Sequence, residues 1–282
     1  MTDYLVYDVF TDTPFTGNQL AIIPKAQTIP ESRLQLIARE FNFSETVFVY
    51  PPDDASHTAK LRIFTPTMEV PFAGHPTIGT AVALHALGAP ADLVLELGIG
   101  PVSCTVEGQV ARFTTTAPLE ILAHPERALV ASALGLDESD IAVTPPIVQA
   151  SLGLPFVFVS VTSRQALSRI ETSIDVFQQG AKAYPTEFDF AIYAYFKEGQ
   201  AVHARMFAPL DNIPEDPATG SAAATLGAIL SQETPQELQI SQGEDMGRPS
   251  MIMISTKQDG SVSVAGQAVQ TMEGRLIAKP TI

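Results

Sequence analysis

The sequence carries an internal echo at a spacing of 143 residues, and this echo constrains the fold more than any other feature. The pattern Arg-x-Phe-x-Pro begins at Arg62 in the first half and again at Arg205 in the second half. Pro71 and Pro214 extend the match at the same spacing, and each precedes a run of small apolar residues. Two copies are too few for a solenoid, in which many repeats stack on their neighbours. The echo therefore predicts a pseudo-twofold pair of domains that face each other.

Each half is predicted to build strands around one buried helix. The runs at 78–87 and 222–230 contain small apolar residues and no Asp, Glu, Lys or Arg, which is typical of helices inside a core. Gly88 is placed to end the first run. Strand-like segments surround both runs, and the last of them are predicted at 261–265 and 274–278. A Pro- and Ala-containing connection at 118–125 places the boundary, which gives halves of 1–120 and 121–282.

The charge balance excludes several classes of partner. The chain has 16 Lys and Arg against 31 Asp and Glu, a net charge of −15. Nucleic acids and anionic membrane surfaces are bound mainly by Lys and Arg, so we expect neither as a partner. A small anionic substrate remains compatible with this charge, because backbone N–H groups can bind a carboxylate locally.

The cysteine content and the N-terminus bear on location. One cysteine, Cys104, permits neither an internal disulfide nor a cysteine-based metal site, and it favours a reducing, cytoplasmic setting. The N-terminus lacks the pattern of a signal peptide, and no run approaches ~20 uncharged apolar residues. We therefore expect no leader and no transmembrane helix.

The starts of the two buried helices are candidate sites for a carboxylate. The first N–H groups of a helix have no partner within the helix, and the helix dipole adds partial positive charge there. Gly74 and Gly220 let the backbone approach a ligand without a Cβ in the way. Either loop alone is also explained by Gly and Pro punctuating a helix start. The matched pair favours a site.

Single polar residues near these loops have structural as well as functional explanations. His75 could be structural, and its neutral form is favoured near a helix N-terminus. Asp216 could be an N-cap with the following proline at the first helical position. Ser221 could be an ordinary small helix residue. Glu45 could be a solvated strand start, whereas in a closed cleft its desolvation would suit it to proton transfer.

Taken together, these segments resemble a known family. The motifs that carry the resemblance are YDVFT at 7–11, PFTGN at 14–18, SET at 44–46, PFAGHPT at 71–77 and EDPATGSA at 215–222. Their order and spacing are similar to the PhzF-like family of phenazine biosynthesis, from near residue 4 to the last strands. The resemblance implies an α+β, diaminopimelate-epimerase-like fold. In that fold two pseudo-symmetric domains each wrap a curved, mostly antiparallel sheet or barrel around a central helix, with the active site in the cleft between them. The resemblance also allows the last strands to cross back to the first domain.

The resemblance also implies an isomerase that uses neither a cofactor nor a metal. The best-known member isomerises trans-2,3-dihydro-3-hydroxyanthranilate by moving a proton with one glutamate, which matches Glu45 here. His75 and Asp216 match the residues that position and polarise the substrate. The implied substrate-binding residues are Gly74, Gly220, Ser221 and Asn18. The expected partners are a small anionic substrate and a second copy of the chain in a homodimer.

Two departures and one alternative function accompany this reading. The family commonly has Gly-Asn-Pro in its first turn, whereas Gln19 follows Asn18 here. Cysteine-dependent epimerases of the same fold need a thiol at each helix start, and the single cysteine of this chain excludes that chemistry. Cys104 lies in a strand-like segment and is more typical of packing. The alternative is a catalytically degenerate relative that binds a small carboxylate or a protein partner. The presence of the whole predicted catalytic set favours the enzyme.

Overall fold

The structure, a computed structural model, describes residues 1–277. Its contacts divide the chain into two compact units. Unit 1 holds Met1–Thr115 together with the described residues from Ser263 onward, and unit 2 holds Thr116–Val262. Strands and helices are mixed along both units, which confirms the predicted α+β class.

The first segment of unit 1 alternates strands with helices. In chain order its elements are β1 (Thr2–Val9), β2 (Asn18–Ile23), α1 (Glu31–Phe41), β3 (Glu45–Tyr50), β4 (Ala59–Phe64), β5 (Glu69–Val70), α2 (Gly74–Ala86), β6 (Asp92–Leu97), β7 (Gly100–Glu107) and β8 (Val110–Thr115).

Unit 2 follows, and one long strand then completes unit 1. The elements of unit 2 are β9 (Glu120–Ala123), α3 (Arg127–Ala133), β10 (Val148–Ser151), β11 (Pro155–Ser160), α4 (Arg164–Ser168), α5 (Ile174–Ala183), β12 (Ile192–Glu198), β13 (Ala201–Ala208), β14 (Ile213–Asp216), α6 (Gly220–Leu230), β15 (Glu237–Gln242) and β16 (Ser250–Thr256), with short 3-10 helices at Glu138–Asp140 and Pro209–Asp211. The long strand is β17 (Val262–Leu276).

The strands of unit 1 form a curved sheet that closes on itself. β1 pairs antiparallel with β2 on one side and with β17 on the other. From β2 the sheet continues through β3, β4, β6, β7 and β8. β8 pairs with β17 and closes the ring. Helix α2 contacts strands around this ring, namely β1, β2, β3, β7 and β8, so it is the central helix.

Small residues allow α2 to lie inside the ring. Its residues 74–83 are all buried. A Cβ at Gly79 would lie 2.6 Å from side-chain atoms of both Val9 and Leu20, so only glycine permits this approach of helix to sheet. The helix begins at Gly74, and the predicted start at 78 was wrong. Pro76 lies in the first turn, where its missing N–H removes no helical hydrogen bond.

Unit 2 repeats the pairing order of unit 1. A parallel pair joined by helical connections, β2 with β3, recurs as β11 with β12. A second parallel pair that flanks the central helix, β4 with β6, recurs as β13 with β15. Helix α6 takes the place of α2, and it packs against β16. The strand registers align the two halves, because Phe64 pairs with Thr46 and Phe207 with Ile192.

The echoed arginines have the same surroundings in each unit. The guanidinium carbon of Arg62 lies 5.2 Å from the ring centroid of Phe64, and that of Arg205 lies 4.9 Å from the ring centroid of Phe207. A cation over an aromatic face is a favourable arrangement. The echo therefore marks a repeated stacking contact.

The structure does not match Pro71 with Pro214, the last pair of the echo. Pro71 precedes by three residues the glycine that begins α2, and Pro217 rather than Pro214 does so for α6. The loop before α6 is longer, because it contains the short helix Pro209–Asp211. The spacing of matched residues therefore grows from 143 to 146 across this loop.

Two other segments differ from the sequence-based expectation. Residues 262–265 and 274–276 of the strands predicted at 261–265 and 274–278 belong to the single strand β17, which pairs with two neighbours. Position 278 lies outside the described residues. The connection predicted at 118–125 contains the strand β9, whose side chains are mostly exposed and give no burial pattern. Among the described helices, none has the length and apolar character needed to cross a bilayer.

Candidate functional site

Glu45 is held at the first position of β3. The turn before it is made by Asn42, which ends α1 in the left-handed conformation with φ 53°. The four residues that follow Glu45 are buried, so the strand anchors it in the sheet. The Glu45 side chain is only 16% exposed, which argues against a solvated strand start.

His75 brings the first turn of α2 against this carboxyl group. Its Nδ1 lies 3.3 Å from Oε2 of Glu45. The side-chain nitrogen of Asn18, the first residue of β2, lies 3.5 Å from the same Nδ1. Three predicted site residues from different segments of unit 1 are thus in contact.

Burial determines the charge state of His75. The side chain is 4% exposed, and burial lowers the pKa of His75 to about 3, although a hydrogen bond with the backbone of Gln19 acts in the opposite direction. The imidazole is therefore neutral near pH 7, and its contact with Glu45 is not an ion pair.

The start of α2 has the features of an anion-binding end. Its N-cap residue is Ala73, which provides no side-chain cap. Gly74 is the first helical residue and is buried. The charge of the helix dipole at this end therefore lies close to the Glu45–His75 pair.

Asp216 lies in unit 2 at the end of β14, not at the start of a helix. The N-cap of α6 is Thr219, and Gly220 is the first helical residue. The reading of Asp216 as the N-cap with Pro217 at the first helical position is therefore wrong. The hydroxyl of Thr219 donates to Oδ2 of Asp216 at 2.6 Å. The Thr219 side chain therefore bonds to this carboxyl group and does not cap the helix.

The two other predicted residues of unit 2 lie in the first turn of α6. Gly220 is buried, and Ser221 is half-buried. The carbonyl of Ser221 accepts a hydrogen bond from Thr225 at 3.0 Å. That contact is an ordinary helical hydrogen bond. The role of Ser221 in binding the substrate stays a prediction.

Sequence reasoning missed a polar residue that contacts this loop. Gln242, at the end of β15, is fully buried and donates to the backbone carbonyl of Asp216 at 2.8 Å. It also bonds to Thr219 and Tyr193. The glutamine is 26 positions from Asp216, and its local sequence carries no motif, so only the strand register brings it to the site.

Matched positions of the two units carry different chemistry. The registers that align Thr46 with Ile192 also align the residues before them, which are Glu45 in unit 1 and Ala191 in unit 2. The second residue of the central helix is His75 in unit 1 and Ser221 in unit 2. The duplication has therefore kept one carboxyl group at this position, not two.

Cys104 has no features of a catalytic thiol. It lies in β7, pairs with Phe113 of β8 and is 2% exposed. Burial raises the pKa of the Cys104 thiol to about 12, so the thiolate is scarce near pH 7. Its role is packing in the core of unit 1.

Known proteins of similar sequence match nearly the whole length of this chain. The family described as phenazine biosynthesis-like protein, PhzC-PhzF, matches residues 7–274. An uncharacterized isomerase of Mesorhizobium japonicum is 40% identical, over 97% of this chain and 98% of the relative. The trans-2,3-dihydro-3-hydroxyanthranilate isomerase of Pseudomonas aeruginosa is 35% identical, over 98% of this chain and 99% of the relative.

A solved structure shares the fold. The phenazine biosynthesis protein of the PhzF family from Bacillus anthracis superposes with a TM-score of 0.86 at 26% identity, covering 98% of this chain and 99% of that one. This likeness confirms the predicted diaminopimelate-epimerase-like fold.

Proposed function

Because this chain belongs to the phenazine biosynthesis-like protein family and is an isomerase, we propose that it moves a proton on a small carboxylate-bearing substrate with Glu45 as the acid/base. The substrate class is a cyclic or conjugated amino acid. The Pseudomonas aeruginosa relative is named for trans-2,3-dihydro-3-hydroxyanthranilate, and that compound is the first substrate to test. The reaction needs no cofactor in this proposal.

One observation carries the proposal, namely the contact of 3.3 Å between Glu45 and a buried, neutral His75. An imidazole with a pKa of about 3 is a weaker base than an ordinary carboxylate. The proton removed from the substrate therefore goes to Glu45 and not to His75. The Nδ1 side of the imidazole contacts both Oε2 of Glu45 and the Asn18 side chain, so the buried ring can hold the carboxyl group in place for this transfer.

The isomerisation is a proton shift by one group. The Glu45 carboxylate removes a proton from one carbon of the conjugated system, and the electron pair of that C–H bond spreads into the system. Glu45, now the carboxylic acid, returns the proton to another carbon and becomes the carboxylate again. Ala191 at the matched position of unit 2 has no ionisable group, which supports a single acid/base over a pair.

The substrate carboxylate is assigned to the helix starts. The start of α2 at Gly74 and the start of α6 at Gly220 have partial positive charge and no side chain in the way. Such a site binds an anion in a chain of net charge −15 without Lys or Arg. The sequence predicts that Asp216, Ser221 and Gly220 of unit 2 act on the same substrate as Glu45 of unit 1. Variants in each unit test this prediction.

The test is incubation of the protein with trans-2,3-dihydro-3-hydroxyanthranilate in deuterated water. We expect isomerisation by the wild type and a loss of about 100- to 10,000-fold in Glu45→Gln, the range for removing a general acid/base. Glu40→Gln is the matched control, because Glu40 is exposed on α1. It should isomerise the substrate like the wild type.

Two outcomes would contradict the proposal. Isomer formation or deuterium incorporation that persists in Glu45→Gln would remove the role of this residue. Binding of the compound without turnover by the wild type would support the alternative, a small-carboxylate-binding relative without catalysis.

A further inference from the structure

The amide of Gln242 is buried, and its hydrogen-bonding capacity is fully used. Nε2 donates to the backbone carbonyl of Asp216 at 2.8 Å and to Oγ1 of Thr219 at 3.0 Å. Oε1 accepts from the N–H of Thr219 and from the hydroxyl of Tyr193, both at 3.2 Å. An amide has two N–H donors and two acceptor positions, so this side chain is saturated.

These contacts fix the direction of each hydrogen bond. Reversing the amide would place its oxygen against the carbonyl of Asp216, where neither atom can donate. Because Nε2 can only donate, Oγ1 of Thr219 accepts from it, and the hydroxyl proton goes to Oδ2 of Asp216 at 2.6 Å. Gln242 therefore acts on the Asp216 carboxyl group through Thr219.

Unit 1 builds the same backbone without this network. The strand registers and helix starts match each of its members to an apolar residue in unit 1: Val47 for Tyr193, Val70 for Asp216, Ala73 for Thr219 and Leu97 for Gln242. An apolar set at these positions thus supports the duplicated fold. A buried polar network is not needed for stability where apolar residues suffice.

The start of β16 and the residue after β15 also contact the backbone of the same loop. Oγ of Ser250 lies 2.9 Å from the carbonyl oxygen of Pro217, within donating distance. Gly243 adopts φ +76°, and a Cβ there would lie 2.7 Å from the same oxygen. Loop 216–219 is therefore held by the Ser250 side chain and by close packing against the Gly243 backbone.

We propose that Gln242 is the positioning residue of the unit 2 half-site and that it acts by orienting the Asp216 carboxyl group toward the substrate. This inference rests on the proposed function, in which Asp216 positions and polarises the substrate. Gln242 lies outside the sequence motifs of the chain. The fold of unit 1 forms without such a network, so the network in unit 2 is assigned to function rather than to folding.

The test begins with a substitution that the fold already accepts in unit 1. Gln242→Leu installs the residue found at the matched position, Leu97. Thr219→Val removes the hydroxyl and keeps the size, whereas Thr219→Ser keeps the hydroxyl. The matched control is Gln239→Leu, which makes the same substitution at an exposed position of β15.

Catalysis and ligand binding are measured for each variant. The first readout is kcat/KM with trans-2,3-dihydro-3-hydroxyanthranilate, and the second is the dissociation constant of 3-hydroxyanthranilate. We expect Gln242→Leu to lower kcat/KM by about 10- to 100-fold, as small misplacements of a positioned group do. Thr219→Ser should retain at least about tenfold more activity than Thr219→Val, and Gln239→Leu should match the wild type.

A double-mutant cycle separates positioning from mere folding. If Gln242 acts through Asp216, its substitution should weaken 3-hydroxyanthranilate binding in the wild type and change it by less than about threefold in the Asp216→Asn background. An equal loss in both backgrounds, or a Thr219→Ser variant as impaired as Thr219→Val, would overturn the inference.

Failure of the proposed function is distinguishable from failure of this inference. If the wild type neither binds nor isomerises these compounds, the proposed function fails by itself. Amide hydrogen exchange at Thr219 then decides the positioning claim. Loss of protection in Gln242→Leu with retained protection in Gln239→Leu supports it, and unchanged protection in both contradicts it.

Discussion

His75 touches Glu45 without forming an ion pair with it. The two groups are 3.3 Å apart, yet burial lowers the pKa of His75 to about 3. Desolvation of the imidazolium outweighs the attraction of the neighbouring carboxyl group. The contact therefore joins a neutral ring to the proposed acid/base, and the burial of the ring has a measurable effect on stability.

Stability should fall as the pH falls from about 6.5 toward 3, in part because of His75. The ordinary pKa is 6.5 and the folded-state pKa is about 3, so the unfolded chain binds more protons between these values. The free energy of unfolding then rises with pH by up to about 1.4 kcal/mol per pH unit from this group. His75→Gln should reduce the slope in urea unfolding measured across this range.

The control for this measurement lies on the same helix. His85→Gln changes a histidine near the half-buried end of α2, and it does not touch the Glu45 contact. A slope that is unchanged in His75→Gln would contradict the buried, neutral state assigned to His75.

Glu215→Gln should destabilise the fold more than Glu31→Gln. Glu215 pairs with Arg205 through two hydrogen bonds, and their side chains are 14% and 10% exposed. Glu31 pairs with Arg62 in the same way, but its side chain is 73% exposed. We expect a loss of about 2 to 3 kcal/mol for Glu215→Gln and under about 1 kcal/mol for Glu31→Gln. Denaturant unfolding checks both values, and equal losses would refute the difference in burial.

Gly243→Ala should cost more stability than Gly247→Ala. Both glycines have a left-handed φ, +76° and +75°, so both substitutions meet the same backbone strain of about 1 to 2 kcal/mol. A Cβ at Gly243 would also collide with the carbonyl oxygens of Arg248 and Pro217, whereas nothing lies within 4 Å of one at Gly247. Chemical denaturation should show the larger loss of stability for Gly243→Ala. Equal losses in the two variants would contradict the close approach of the Gly243 backbone to these carbonyl oxygens.

Thiol reagents should leave the native protein active. Cys104 is 2% exposed, and burial raises the pKa of its thiol to about 12. Cys104→Ala should isomerise at the wild-type rate, with a loss of stability on the order of 1 kcal/mol from the small cavity. Alkylation under native conditions, followed by an activity assay and mass spectrometry, checks this. Inactivation that parallels modification of Cys104 would revive a thiol mechanism.

Elements with strong local patterns were predictable from the sequence. The alternating strands β6 and β7 lie where they were predicted, within a few residues, and the apolar run predicted to be a buried helix forms most of α2, whose start was placed too late. β9 was missed because its side chains are mostly exposed, and β17 was divided because its second half is half-buried or exposed. A sequence pattern reveals a strand or helix when the segment is buried on all sides or when apolar and polar residues alternate along it.

The candidate site was only partly predictable. Glu45, His75 and Asn18 were proposed separately, and the structure brings them into contact. Gln242 was not proposed, because its partners are chosen by the register of β15 against its neighbours and not by any local motif. The roles assigned to Asp216, Gly220 and Ser221 remain predictions.

The sequence by itself determined the duplication, the small residues of both central helices, the absence of a thiol pair and the family. Each of these depends on composition or on spacing along the chain, which folding does not change. Only the tertiary structure decided that His75 is neutral beside Glu45 and that Gln242 holds the loop of Asp216. Both depend on burial and on hydrogen-bond partners distant in sequence, which exist only once the strands have paired.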